Sequence, residues 1–74
     1  MRYFKVLRSF RYDGIEYKQD LILTERELPR LKVDGRGYML EEVITRLCSS
    51  GILVQTWDAY EIINFGLRED LVIR

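Results

Sequence analysis

A single α+β domain is predicted for this chain, and three features predict it. Residues 3–12 alternate like a strand and lead into Asp13-Gly14, a strong short-range hairpin signal. Leu40, Val43, Ile44, Leu47 and Cys48 recur at the spacing of one helix face. After Gly51 the chain becomes β-branched and aromatic. The predicted order is an N-terminal β-hairpin, one central amphipathic helix (about 38–50) and a C-terminal β-rich segment, all in one small domain spanning 1–74.

In the first strand Phe4, Val6, Phe10 and Tyr12 share one parity, interrupted by Arg8. Tyr3, Lys5, Leu7, Ser9 and Arg11 take the other side. A type I′ turn needs positive φ at both central residues, and Asp-Gly supplies them. Ile15 and Tyr17 continue on the second strand. Gln19 and Asp20 break or bulge it, and residues 21–23 resume extended structure. Thr24 and Glu27 have the spacing of a capping box, but Pro29 opposes a helix running through that depth. A short turn, or a helix opening at Pro29, is expected there. Residues 34–37, with two glycines, form a loop.

Residues 38–50 present Glu41, Glu42, Thr45, Arg46 and Ser49 opposite the apolar stripe. Glu42 and Arg46 stand four apart in the favourable order. Gly51 suits the left-handed position just past the helix, with Ile52 folding back on Leu47. Residues 52–57 read as a strand. The stretch 58–66 fits two patterns. Asp58 and Glu61 form another capping box, which favours a short helix up to Gly66. Tyr60, Ile62, Ile63 and Phe65 are strand formers, and a tight turn at Asp58-Ala59 would pair them with 52–57. The hairpin is the reading adopted. Residues 71–73 add a final short strand.

Composition excludes more than it selects. The 74 residues contain no histidine and one cysteine. Histidine is the usual base near neutral pH and the commonest metal ligand, and a lone thiol makes neither an internal disulfide nor a multi-cysteine zinc site. The adjacent acids Glu41-Glu42 and Glu69-Asp70 read as solvated surface. Asp34-Gly35-Arg36-Gly37 lacks the ending of a phosphate-binding loop. Neither an enzymatic activity, a cofactor nor a metal is therefore expected. Cys48, on the apolar stripe, reads as a buried, inert thiol suited to a reducing cytoplasm. The basic start leads into alternating residues and not into a secretory signal, and no apolar run is long enough for a membrane span.

Twelve basic and twelve acidic residues give zero net charge, unlike a general polyanion binder. The halves differ: residues 1–37 hold nine cations and six acids, 9 − 6 = +3, and residues 38–74 hold three and six, 3 − 6 = −3. Mutual attraction of the halves is the simpler explanation, and one basic face for an acidic partner the other. Arg2, Lys5, Arg8 and Arg11 recur along the first strand among aromatic rings. This reads as an edge strand guarded by charge, or as a platform for single-stranded nucleic acid.

Two resemblances can be set beside these readings. Lys5-Val6-Leu7, Phe10 to Gly14, Tyr17, Asp20 to Leu23 and Thr24-Glu25 resemble the start of small uncharacterised bacteriophage and prophage proteins. The match covers about residues 3–25, with Gln19 where that group commonly has glycine and Pro29 where it often runs into a helix. The resemblance implies an accessory protein, virion-associated or aimed at a host protein, and carries no catalytic residue. Residues 47–53 with the following hairpin look like the helix-plus-wing portion of winged-helix proteins, although the N-terminal third is β-like.

The expectation from sequence is thus a non-enzymatic interaction module that binds a protein partner or associates with itself. A nucleic-acid-binding accessory protein using the basic aromatic strand is the alternative. Tyr3, Arg8, Arg11, Tyr12 and Tyr17 crowd the first hairpin, and they are the candidate interaction surface.

Overall fold

The computed structural model describes residues 1–26, 33–66 and 68–74. The chain forms two small antiparallel sheets and two α-helices, an α+β fold with β strands at both ends. The first sheet has the order β4-β1-β5, from Tyr3–Val6 (β1), Ile22–Thr24 (β4) and Leu53–Thr56 (β5). The second has the order β2-β3-β6, from Phe10–Tyr12 (β2), Ile15–Tyr17 (β3) and Val72–Ile73 (β6).

The long first strand expected over 3–12 is two strands in two sheets. Arg8 stands where alternation would place a core side chain, and charge is costly to bury without a partner. The chain leaves the first sheet there. The Arg8 guanidinium turns outward and donates to the Ser50 carbonyl, 2.7 Å away. The hairpin that follows is as expected: Asp13 and Gly14 have φ of 52° and 81°, and Phe10 pairs with Tyr17. Their rings stack at 5.0 Å between centroids. Asp20, also left-handed at φ 78°, sits in the turn that breaks the chain between β3 and β4, where its N–H donates to the Val6 carbonyl at 2.9 Å.

Thr24 ends β4 and is buried. The capping box it was expected to share with Glu27, and the helix start at Pro29, lie outside the described residues. Asp34 closes the glycine loop, its carboxylate accepting from the N–H groups of Arg36 (2.8 Å) and Tyr38 (3.1 Å).

The central helix α1 spans Glu41–Ser49 and buries Val43, Ile44 and Leu47. Its C-terminus is the glycine cap read from the sequence. Gly51 has φ 71°, its N–H donates to the Cys48 carbonyl, and the Ile52 N–H donates back to Leu47 at 3.0 Å. With Met39, these residues close one core over Phe4, Val6, Phe10, Ile15, Tyr17, Leu21, Leu23, Leu53 and Val72.

The second helix corrects the hairpin expected over 58–66: Ala59–Phe65 is α-helical (α2), so the resemblance to a winged-helix wing fails at this element. A single turn of 3₁₀-helix, Glu69–Leu71, leads into β6. No helix among the described residues is long and apolar enough to cross a membrane.

The first sheet has two covered faces. Register places Phe4, Leu23 and Val6 with Leu53 on the core side, and Tyr3, Lys5, Ile22, Thr24, Val54 and Thr56 on the other. α2 lies against this second face. It packs on β4, and Gly66 bridges in parallel to Ile22.

Candidate interaction surface

The five residues singled out from the sequence do not form one patch. Tyr17 is 0% exposed and belongs to the core; it shares parity with Ile15 and stacks on Phe10, so the hairpin's buried face claims it. It is withdrawn from the candidate surface. Tyr3 lies half-buried on β1 in the other sheet. Tyr12 is half-buried and packs against the core cluster. Arg8 and Arg11 are exposed, and Arg11 reaches back toward the Gly14 carbonyl of its own turn at 3.4 Å.

The basic character of β1 is spent inside the molecule. Arg2 donates to the Glu25 carboxylate at 2.8 Å and also to Glu41, and Lys5 donates to Glu61. Two of these pairs, Arg2–Glu41 and Lys5–Glu61, join the cationic half of the chain to the acidic half. Hydrogen bonding to Glu61 raises the Lys5 pKa above its ordinary value. β1 is also the middle strand of its sheet, so the guarded-edge reading is corrected as well: a central strand has no open edge to guard.

A cleft of about 340 Å³ opens beside the start of α1, among Arg2, Glu25, Glu41, Asp34, Arg36 and Tyr38. Its charges answer one another. Arg2 serves both glutamates, Arg36 reaches Asp34 at 3.3 Å, and the Tyr38 ring lies under Arg26 and Arg36 at 4.8 and 5.6 Å. No buried side-chain polar atom among the described residues lacks a partner. Cys48 is half-buried, less deep than its place on the stripe implied, and burial pushes its thiol pKa up.

The surface that stands out is the outward side of α2. Trp57, Tyr60 and Ile63 are 78%, 72% and 81% exposed. They recur every third residue, so Tyr60 and Ile63 share a helix face and Trp57 precedes it. No residue of α2 is fully buried; Glu61, Ile62 and Phe65 face the sheet half-buried. The helix is held by polar contacts. The Asp58 carboxylate caps it, accepting from the N–H groups of Tyr60 (2.9 Å) and Glu61 (3.2 Å). The reciprocal half of the capping box is replaced: Glu61 turns to Lys5 and accepts from the Thr56 hydroxyl at 3.2 Å, and Thr56 accepts from the Asp58 N–H at 3.2 Å.

Sequence reasoning missed this face because it assigned the segment to a strand. The available signal was the spacing of three from Trp57 to Ile63, out of phase with the inward Glu61, Ile62 and Phe65. Comparison of the chain with protein-family models, with curated proteins and with solved structures finds no match.

Proposed function

We propose that this chain is a small, non-enzymatic interaction module that binds a protein partner through the outward face of α2. The observation that carries the proposal is the exposure of Trp57, Tyr60 and Ile63, each more than two-thirds exposed within seven residues of chain. Scattered apolar residues on a surface are ordinary. Tyr60 and Ile63 on one face of a short helix, with Trp57 just before its cap, concentrate exposed apolar surface of the kind that marks interaction sites, and tryptophan and tyrosine dominate the energetics of such contacts. The internal neutralisation of Arg2 and Lys5 weighs against the alternative, a nucleic-acid platform on β1. The setting implied by the N-terminal resemblance, a bacteriophage or prophage accessory protein, belongs to the same proposal and rests on those residues alone.

The test compares Trp57→Ala and Ile63→Asp with Arg8→Glu/Arg11→Glu. The measurements are self-association by sedimentation and binding to mixed-sequence single- and double-stranded nucleic acid at low and moderate salt. The reading expects no salt-sensitive nucleic-acid binding, and association that is lost in the α2 variants while their melting temperatures stay unchanged. Tight nucleic-acid binding abolished by the arginine substitutions, and indifferent to those in α2, refutes it in favour of the alternative.

A further inference from the structure

Ile22 is 0% exposed, yet it lies outside the common core cluster. It sits on the outer face of the first sheet with Thr24 and Thr56, which are also buried. α2 covers this face, packing on β4 and sending Gly66 to bridge Ile22. The cover is thin. α1 buries Val43, Ile44 and Leu47, whereas α2 buries none of its residues and offers the sheet only half-buried Ile62 and Phe65. The Phe65 ring lies under Arg68, itself held by Asp70 at 3.0 Å, but these contacts are local and travel with the segment. The polar ties to the sheet gather at the first turn of α2. Glu61 accepts from Lys5 and from the Thr56 hydroxyl, and the Asp58 N–H donates to Thr56.

Both ends of this segment are anchored in strands with partners of their own. β5 pairs along its length with β1, and β6 pairs with β3. The chain between Thr56 and Glu69 can therefore leave the outer face with both sheets and the α1 core intact. A helix of seven residues does not persist in water without packing, so leaving the sheet and melting are one event. Segments with few buried apolar contacts open at a lower cost than the whole domain. We infer that α2 is a latch on the outer face of the first sheet. It opens as a unit while the rest of the fold stays closed, the Lys5–Glu61 pair is its catch, and opening uncovers Ile22 and the edge of β4. β4 is an outer strand of its sheet, and covering such an edge keeps it from pairing with another chain. The closed latch thus holds back strand pairing at Ile22. Opening needs no partner on Trp57, Tyr60 and Ile63, so the device stands apart from the function proposed above.

The test is native-state hydrogen exchange on the full chain, with denaturant kept below the melting transition. Amides 62–66 are expected to be at least about thirty-fold less protected than amides 45–48 of α1. Their exchange should depend little on denaturant, since so short a segment exposes little surface. Raising salt from about 0.05 to 0.5 M should speed exchange at 62–66 about two- to threefold and leave 45–48 unchanged. Glu61→Gln should speed it about three- to tenfold, again at 62–66 alone. A thiol beneath the helix separates opening from fraying in place: Ile22→Cys in a Cys48→Ser background, labelled with a disulfide reagent. Its labelling is expected to rise with salt, and with Glu61→Gln, by the same factors as exchange at 62–66. Amides 62–66 as protected as those of α1, or exchange that neither salt nor Glu61→Gln moves, overturns the latch. Fast exchange at 62–66 with the Ile22→Cys thiol labelled only at the rate of global unfolding also overturns it, because the helix then frays over a face that stays covered.

Discussion

Lys5 on β1 and Glu61 on α2 are 56 residues apart in sequence and form an ion pair across the outer face of the first sheet. The Glu61 carboxylate accepts a further hydrogen bond from the Thr56 hydroxyl. With no fully buried residue in α2, this polar cluster does much of what a core would otherwise do for the helix. Glu61→Ala should therefore release α2 before the rest of the fold. The expected cost is about 1 kcal/mol, with faster amide exchange in residues 59–65 and unchanged exchange in α1. Uniform acceleration across both helices would show that the contact stabilises the domain as a whole. The Lys5 pKa lies above its ordinary 10.5. Its contribution is complete below that value and is lost as pH rises through the folded one.

Acid acts on a different cluster. The Arg2 guanidinium, hydrogen-bonded to Glu25, holds that carboxyl below its ordinary 4.5. The folded carboxylate takes up its proton at a lower pH than the unfolded one. Its stabilisation is therefore present above about 4.5 and lost as pH falls through the folded value. Asp34, held low by the Tyr38 and Arg36 N–H groups, and Asp70, held low by Arg68, act with the same sign. Thermal melts should fall below about pH 4.5, and Glu25→Gln should reduce that fall without abolishing it. A Glu25→Gln profile parallel to that of the parent protein would show that the Arg2 pair is energetically silent.

The α1 helix gives two substitutions with separable causes. Leu47 is buried in the common core, and Leu47→Ala should cost roughly 2–5 kcal/mol, against almost nothing for exposed Thr45→Ala. At Gly51 a Cβ would meet nothing within 4 Å, so crowding is not the issue. The backbone φ is 71°, a left-handed value that a β-branched side chain opposes, and Gly51→Val should cost at least about 1–2 kcal/mol from conformation alone. Equal melting temperatures for Leu47→Ala and Thr45→Ala, or for Gly51→Val and the parent, would contradict the packing and the cap respectively.

Cys48 is half-buried, and burial raises its thiol pKa. Less thiolate and restricted access both slow attack on a disulfide reagent. Native protein at pH 8 should react more slowly than the denatured chain, though not so slowly as a fully enclosed thiol. Native labelling as fast as that of the denatured chain would place Cys48 at the surface.

What could be read in the sequence was local. The Asp13-Gly14 turn and the Gly51 cap are set by backbone preferences of one or two residues. The α1 stripe is set by period. What escaped was decided at long range. Strand propensity at Tyr60, Ile62, Ile63 and Phe65 was overridden by the Asp58 cap together with Lys5, which arrives from the other end of the chain. Tyr17 looked available because its hairpin is short, but its cross-strand partner Phe10 fixes it inside. Arg8 hid a corner: a charge at a core parity was the one visible sign that 3–12 serves two sheets.

Gly66 ends α2, and here the requirement is space. Its φ of −67° suits any residue, so no left-handed backbone argument applies. A Cβ at this position would overlap the Ile62 carbonyl oxygen, the same oxygen that accepts the Gly66 N–H at 3.0 Å. Backbone cannot swing aside as a side chain can, so Gly66→Ala must open the last turn of α2 or move the bridge to Ile22. Either adjustment should cost about 1–3 kcal/mol and fall on α2 and β4. Ala at position 66 should therefore lower the melting temperature and speed exchange at the Gly66-position amide and along 62–65, with α1 unaffected. Because α2 carries the proposed docking face, the same variant should also weaken association through that face without touching any residue of the contact. A Gly66→Ala protein that melts and exchanges like the parent would show that the end of α2 has room for a side chain.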